Sequence, residues 1–124
     1  MKKDATLLWG SILGGLAVVF GAFGAHSLKS FLMESGRTET FELAVRYQFY
    51  HALALLAVGI LMGQGESRRL RYCGIFFLLG AFFFSGSLYI LCFSGIKMLG
   101  AVTPFGGVFF IVGWILLGLA AIKK

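Results

Sequence analysis

The chain has 124 residues, of which 59% are hydrophobic and only 13% are charged. A soluble domain typically carries about 25% charged residues, so this composition excludes an ordinary soluble protein and indicates a membrane protein. The formal net charge is +6, but the basic residues occur in short clusters beside apolar runs, which argues against nucleic acid as a partner. We therefore predict an all-α, polytopic membrane protein whose main partner is the lipid bilayer.

Four apolar stretches are long enough to cross a bilayer as helices. About 20 helical residues, at about 1.5 Å each, span a hydrocarbon core of roughly 30 Å. The predicted spans cover residues 7–25, 44–63, 72–93 and 104–122. They belong to one four-helix transmembrane domain that comprises residues 1–124.

The first span carries small residues on one face. Gly10 and Gly14 form a GxxxG motif and Gly21 continues the stripe, which predicts close packing against a neighbouring helix. The basic residues before this span and the small residues at its end also resemble a secretory signal with a cleavage site. Because the apolar run is longer than the roughly 7–15 residues of such signals, we favour a first helix that is retained.

A short amphipathic segment follows the first span at residues 27–35. Leu28, Phe31 and Leu32 are spaced as one apolar face, with charged residues off that face. This pattern predicts a short helix that lies in the membrane interface between the first and second spans. Gly36 is its predicted C-terminal cap.

The second span begins with polar and aromatic residues that divide between two helix faces. At about 100° per residue, one set of side chains points to one side of the helix and a second set points to the other. The set that we assign to the bundle interior is Tyr47, Gln48 and His51. The set that we assign to the membrane interface as anchors is Glu42, Arg46 and Tyr50. Glu42 and Arg46 are four residues apart and are expected to form an ion pair.

The positive charges predict the orientation in the membrane. Four crossings place both termini on one side, and the basic residues on that side outnumber those on the other. The basic residues on the side of the termini are Lys2, Lys3, Arg68, Arg69, Arg71, Lys123 and Lys124. Those on the opposite side are Lys29, Arg37, Arg46 and Lys97. Because cytoplasmic segments are enriched in Lys and Arg, both termini are predicted to be cytoplasmic.

With this topology, polar side chains from several spans converge on the outer leaflet, where they are costly and therefore candidates for function. The candidate ligand-binding residues are His26, Tyr47, Gln48, His51, Ser85 and Tyr89. Ser85 and Tyr89 share one stripe of the third span and are the expected partners of Gln48 or His51. Structural explanations compete: tyrosines form aromatic belts at the interface, and histidines and serines bond to helix carbonyls.

Three functions are compatible with these residues. The leading hypothesis is a non-enzymatic protein whose outer-leaflet pocket binds or passes a small ligand, a lipid headgroup or a proton. The second is a structural or assembly subunit that binds another copy or a membrane-protein partner through its small-residue helix faces. The third is haem binding through His26 and His51. The predicted spans contain no carboxylate, and the chain has no nucleophile elbow, HExxH or P-loop, so an enzyme is disfavoured and no metal or cofactor is expected.

Four sequence blocks carry a resemblance to a known family. The blocks are GAFGAH at residues 21–26, YQFYHALA at 47–54, FSGSLY at 84–89 and TPFGG at 103–107. In these blocks the chain resembles the domain of unknown function 423 family, small inner-membrane proteins of bacteria related to the eukaryotic transmembrane protein 256. The resemblance implies a retained first helix, four membrane helices and a place in the bacterial inner membrane. The resemblance does not indicate a biochemical activity.

Overall fold

The computed structural model describes residues 1–122, which form helices and connecting turns without a β-strand among them. The helices are α1 (Lys3–Ala25), α2 (Lys29–Ser35), α3 (Thr38–Gln64), α4 (Arg68–Gly80), α5 (Ser87–Ser94) and α6 (Thr103–Ile122). A π-helical segment, Ala81–Gly86, joins α4 to α5 without a break, and a 3-10 turn, Lys97–Ala101, precedes α6.

Four helical segments are long and apolar enough to cross a membrane. The first is α1, the second is α3, the third runs from α4 through the π-helical segment to the end of α5, and the fourth contains α6. These segments confirm the all-α polytopic fold that the composition predicts. Lys123 and Lys124, which contribute to the predicted orientation, lie outside the described residues.

The bundle consists of two antiparallel helix pairs that meet through α3. One pair is α1 and α3, the other is α4 and α6, and α3 also contacts α4, the π-helical segment and α5. The shared core is apolar and includes Leu55, Val58 and Phe77, all of which are fully buried. The second and third spans therefore occupy the centre, and α1 and α6 flank them.

The small residues of α1 face α3. A Cβ atom at Gly10 would lie 3.1 Å from the carbonyl oxygen of Ala52, and one at Gly14 would lie 3.7 Å from the Ala52 Cβ. A Cβ atom at Gly21 would lie 3.5 Å from Val45 Cγ1. The glycine stripe therefore brings the first two spans close together within one chain.

Helix α2 closes one end of the bundle, which we call the α2 end. Gly36 ends this helix with φ of 70°, the left-handed conformation expected of a glycine cap. Leu32 is buried in a cluster with Phe41, and Phe31 stacks on Phe93 at the end of α5 with ring centroids 5.8 Å apart. The predicted interfacial helix is thus present and packs on the second and third spans.

The side of the membrane that each end faces stays a prediction. Cys73 and Cys92 are both buried, so neither native thiol suits a labelling test. In a chain with both cysteines replaced by alanine, we expect Met98→Cys to react with an impermeant maleimide in intact cells, because Met98 is 80% exposed at the α2 end. Glu66→Cys, in the exposed turn at the other end, should react only after permeabilisation. Labelling in the reverse order would contradict a cytoplasmic position of the termini.

Candidate functional site

Polar side chains from the second, third and fourth spans meet around the buried Gln48, His51 and Ser85, and we call this group the polar cluster. Its members are Tyr47, Gln48, His51, Ser85, Tyr89 and Trp114. Gln48 and His51 are each only 4% exposed, whereas Arg46 and Tyr50 on the opposite face of α3 are exposed. The two faces of α3 are thus those that the helical spacing predicts.

Gln48 links three spans through its side-chain amide. Its Nε2 donates to the carbonyl oxygen of Leu13 in α1 at 2.8 Å. Its Oε1 accepts from the hydroxyl of Tyr89 in α5 at 2.7 Å. The Tyr89 ring in turn packs edge-on against Phe20, with centroids 5.0 Å apart. One buried amide therefore ties α1, α3 and α5 together.

His51 uses both ring nitrogens. Its Nδ1 lies 2.8 Å from the carbonyl oxygen of Tyr47, one turn back in α3, and its Nε2 lies 3.0 Å from Nε1 of Trp114 in α6. A carbonyl can only accept and an indole N–H can only donate, so Nδ1 carries the proton and Nε2 accepts. The ring is therefore held in its neutral form, with no nitrogen left for a ligand.

Aromatic rings enclose His51. Its imidazole stacks on Phe110, with centroids 3.5 Å apart and an interplanar angle of 10°. Phe77 contacts it edge-on at 5.4 Å, and Tyr47 lies at 6.2 Å. The histidine is thus packed as a core side chain between α3, α4 and α6.

The π-helical segment brings Ser85 and the backbone of Phe84 against neighbouring helices. The Ser85 hydroxyl donates to the carbonyl oxygen of Ala44 in α3 at 2.7 Å. The π-helical segment also contacts α6, because a Cβ atom at Gly106 would overlap the backbone of Phe84. A π-helical turn inside an α-helix is rare and often marks a functional site. Here it lies where the backbone of the third span comes close to Gly106 of the fourth span.

The partners within the polar cluster differ in part from those expected. Tyr89 bonds to Gln48, as its stripe predicts, but Ser85 bonds to a backbone carbonyl rather than to Gln48 or His51. Trp114, the half-exposed partner of His51, was not predicted from the sequence. An indole N–H inside a membrane span requires an acceptor, and this requirement is the sequence signal that could have identified Trp114 as a partner of His51.

His26 lies outside the polar cluster, which corrects two expectations. It is exposed at the end of α1, beyond Gly24, which faces Phe41. Ten residues of α3 separate Phe41 from His51, which is about 15 Å along the helix. A histidine nitrogen must lie about 2 Å from the metal that it binds. His26 is therefore not part of the expected pocket core, and a haem iron held by His26 and His51 together is excluded.

The buried polar atoms of the polar cluster are hydrogen-bonded within the protein, in three separate groups around Gln48, His51 and Ser85. Within residues 1–122, every buried side-chain nitrogen or oxygen atom has a hydrogen-bond partner. In the same range, no three His, Cys, Asp or Glu side chains are grouped so that they could hold a metal. The side chains of Gln48, His51 and Ser85 thus offer no buried polar atom without a partner, so the pocket expected at Gln48 and His51 has no unpaired buried group for a ligand.

Two adjoining cavities lie instead along the seam between α1 and α3 at the α2 end, and we call them the seam groove. The first, of about 210 Å³, has a floor that includes Gly21 and Phe41 and a rim that includes Glu42. The second, of about 270 Å³, extends the groove toward Phe49. Arg46 lines both cavities, so the interface face of α3, not its buried face, borders open space.

Glu42 and Arg46 form the predicted ion pair at the rim of the seam groove. Arg46 Nη1 lies 3.9 Å from Glu42 Oε1, and the two side chains are 52% and 58% exposed. An exposed pair at this distance contributes little to stability, typically about 0.3–0.5 kcal/mol for residues four apart on a helix. Both charged groups can therefore turn to a third partner at small cost.

Comparisons with known proteins identify relatives along most of the chain. The family model described as protein of unknown function (DUF423) matches residues 20–107. The UPF0382 membrane protein SAB0533 of Staphylococcus aureus is 44% identical over 117 residues, 94% of each chain. The UPF0382 membrane protein YwdK of Bacillus subtilis is 40% identical over 118 residues, 94% of this chain and 95% of the relative.

A third relative comes from a Gram-negative bacterium. The UPF0382 inner membrane protein YgdD of Escherichia coli K12 is 38% identical over 125 residues, which cover 99% of this chain and 93% of the relative. No solved structure matches the chain.

Proposed function

The chain belongs to the DUF423 family of membrane proteins, and for this member we propose a non-enzymatic role, the binding of a zwitterionic phospholipid in the seam groove. The observation that carries the proposal is the position of Arg46, which lines both cavities of the groove and pairs loosely with Glu42 at its rim. One cation and one anion thus stand side by side at the α2 end, where we expect headgroups to meet the hydrocarbon.

The lower part of the seam groove suits an acyl chain. Below Arg46 it is lined by Ala17, Val18 and Phe49, which are apolar, and by the ring of Tyr50. A lipid chain in this groove contacts side chains on two helices at once, and dispersion contacts of this kind add up over many atoms. The groove therefore favours a long apolar ligand over a small polar solute.

The rim of the seam groove suits a headgroup with both charges. The Arg46 guanidinium can bind a phosphate through two parallel N–H donors, and the Glu42 carboxylate can accept from a primary ammonium. Thr38 adds a hydroxyl to the same cavity. Phosphatidylethanolamine carries both a phosphate and an ammonium with N–H donors. Phosphatidylcholine lacks those donors and phosphatidylglycerol lacks the cation, so we expect phosphatidylethanolamine to bind best.

The orientation of the protein decides which leaflet supplies the lipid. The excess of Lys and Arg at the end that carries the termini supports a cytoplasmic position for that end. The α2 end then faces outward, and the ligand comes from the outer leaflet. The printed name of the Escherichia coli relative, an inner membrane protein, supports a place in the bacterial inner membrane.

Native mass spectrometry of the purified full-length chain in a lipid mixture tests this function. We expect Arg46→Gln to lower the retention of phosphatidylethanolamine about tenfold, because a charge-assisted hydrogen bond contributes about 1.5–3 kcal/mol and a tenfold change is about 1.4 kcal/mol. Glu42→Gln should lower the retention of phosphatidylethanolamine to that of phosphatidylcholine. Only an ammonium group with N–H donors can donate a hydrogen bond to the Glu42 carboxylate.

Lys29→Gln is the matched control for this experiment. Lys29 is an exposed cation at the same end of the bundle, and it lines neither cavity of the seam groove. We expect its loss to leave phosphatidylethanolamine retention within about twofold of the wild type. If Lys29→Gln and Arg46→Gln lower retention equally, the effect is one of surface charge and the proposed site is wrong.

The alternative role in assembly has less support. Gly10, Gly14 and Gly21, whose spacing suggested a face for a partner, lie against α3 of the same chain. A native mass spectrum with a stable second copy or a stoichiometric membrane-protein partner, and no selective lipid, would favour assembly over lipid binding.

A further inference from the structure

Positive charge accumulates at the start of α4, at the end of the bundle opposite to α2. Arg68, Arg69 and Arg71 all lie in the first turn of this helix, which contains no acidic residue. The aligned peptide dipoles place a partial positive charge at a helix N-terminus, so cations there are unfavourable and anions are favoured. Within residues 1–122 the Glu42–Arg46 pair is the one ion pair found, and it lies at the other end.

The three arginines divide between two sides of α4. Arg69 points to α6, where its Nη1 donates to the carbonyl oxygen of Leu119 at 3.2 Å. Arg68 and Arg71 instead line a cavity of about 260 Å³. The other α4 residues that line this cavity are Tyr72 and Ile75, so its α4 wall is one helix face with the spacing i, i+3, i+4 and i+7.

We propose that this cavity binds the phosphate group of an anionic phospholipid of the phosphatidylglycerol class. Two guanidinium groups one turn apart supply donors in the planar geometry that matches phosphate oxygens. The same phosphate neutralises the unfavourable positive charge at the start of α4. This site is independent of the seam groove, because it lies at the other end of the bundle and favours net negative charge.

The order of side chains along α4 favours a lipid over a free phosphate ion. Below the arginines comes Tyr72, which is 50% exposed and has the ring and hydroxyl that suit the headgroup level. Ile75 follows about one turn deeper, where an acyl chain lies. Side chains that suit the phosphate, the headgroup level and the acyl chain thus follow one another along this face in the same order as the parts of a phospholipid.

Single-arginine variants of the full-length protein in detergent test the site, with short-chain phosphatidylglycerol, short-chain phosphatidylcholine and inorganic phosphate as probes. We expect Arg68→Gln and Arg71→Gln each to weaken phosphatidylglycerol binding about tenfold, as the loss of a charge-assisted hydrogen bond does. Phosphatidylcholine, whose choline cation offsets the charge of its phosphate, should bind the wild type more weakly than phosphatidylglycerol and respond less to these variants. Arg69→Gln removes the same charge from the same turn and is the matched control, expected to weaken binding by less than about threefold.

Three outcomes would overturn the proposal. An equal loss in all three variants would mean that diffuse charge attracts the lipid. No loss in Arg68→Gln or Arg71→Gln would place the lipid elsewhere. If inorganic phosphate binds as tightly as phosphatidylglycerol and responds to the same variants, the cavity is a site for a free anion. We expect Arg68→Gln and Arg71→Gln to unfold at the temperature of the wild type, because both side chains are exposed.

Discussion

Gly106→Ala is expected to lower the free energy of unfolding by about 3 kcal/mol, the upper end of the usual effect of overpacking. A Cβ atom at residue 106 would overlap the backbone nitrogen and Cα of Phe84 in the π-helical segment. Backbone atoms cannot rotate away as a side chain can, so α6 must shift from the third span. Reversible unfolding in mixed detergent, followed by circular dichroism, measures the difference.

Gly107→Ala provides the matched control in the next residue. A Cβ atom at Gly107 has no atom within 4 Å, so the same change of one methyl group should alter the free energy of unfolding by less than about 0.5 kcal/mol. Equal effects at the two glycines would show that helix propensity, not the contact with Phe84, dominates at Gly106.

His51→Ala is expected to destabilise the protein by about 3 kcal/mol, as truncation of a buried aromatic ring does. The change removes the ring that stacks on Phe110 and leaves the Trp114 N–H without its acceptor. The same unfolding experiment measures the loss, and a shift of tryptophan emission reports the change around Trp114. His26→Ala, at the exposed end of α1, should stay within about 0.5 kcal/mol of the wild type.

His51→Phe separates the packing of the ring from its hydrogen bonds. Phenylalanine keeps a ring against Phe110 but cannot accept from Trp114, so we expect a loss of only about 1 kcal/mol, the usual scale of an interhelical hydrogen bond in a membrane. Wild-type stability of His51→Ala would contradict the structural role assigned to this histidine.

Much of the fold follows from the sequence because a bilayer leaves few solutions. A chain segment in hydrocarbon must satisfy its own backbone hydrogen bonds, so long apolar stretches become helices. Local signals place further features, such as the cap at Gly36 and the pairing of Glu42 with Arg46. The helical period separates the buried Gln48 from the exposed Tyr50.

Other features depend on how one helix is rotated against another, which the period of a single helix does not determine. The bond from Trp114 to His51 joins residues 63 positions apart, and Ser85 bonds to a carbonyl that carries no side-chain signal. The π-helical segment lies where Gly106 meets Phe84, a contact between two spans. The position of His26 depends on its depth along the bundle, because His26 lies at the end of α1 whereas His51 lies near the middle of α3.

The surroundings of the two faces of α3 favour roles opposite to those expected from the sequence. The inward face, with Gln48 and His51, was the expected binding surface, but the buried polar atoms of these two side chains are hydrogen-bonded within the protein, in part to other spans. The interface face, with Glu42 and Arg46, was expected only to anchor the helix, yet it borders the seam groove. We therefore propose that the stability of the protein depends on the inward face of α3 and that lipid binding depends on the interface face.

Native mass spectrometry with stepwise collisional heating measures both properties in one experiment on the wild type, His51→Ala and Arg46→Gln. We expect Arg46→Gln to lose bound phosphatidylethanolamine and to unfold at the wild-type collision energy. His51→Ala should unfold at lower energy while its folded fraction keeps the lipid. A His51→Ala protein that loses the lipid and unfolds as the wild type does would contradict this separation.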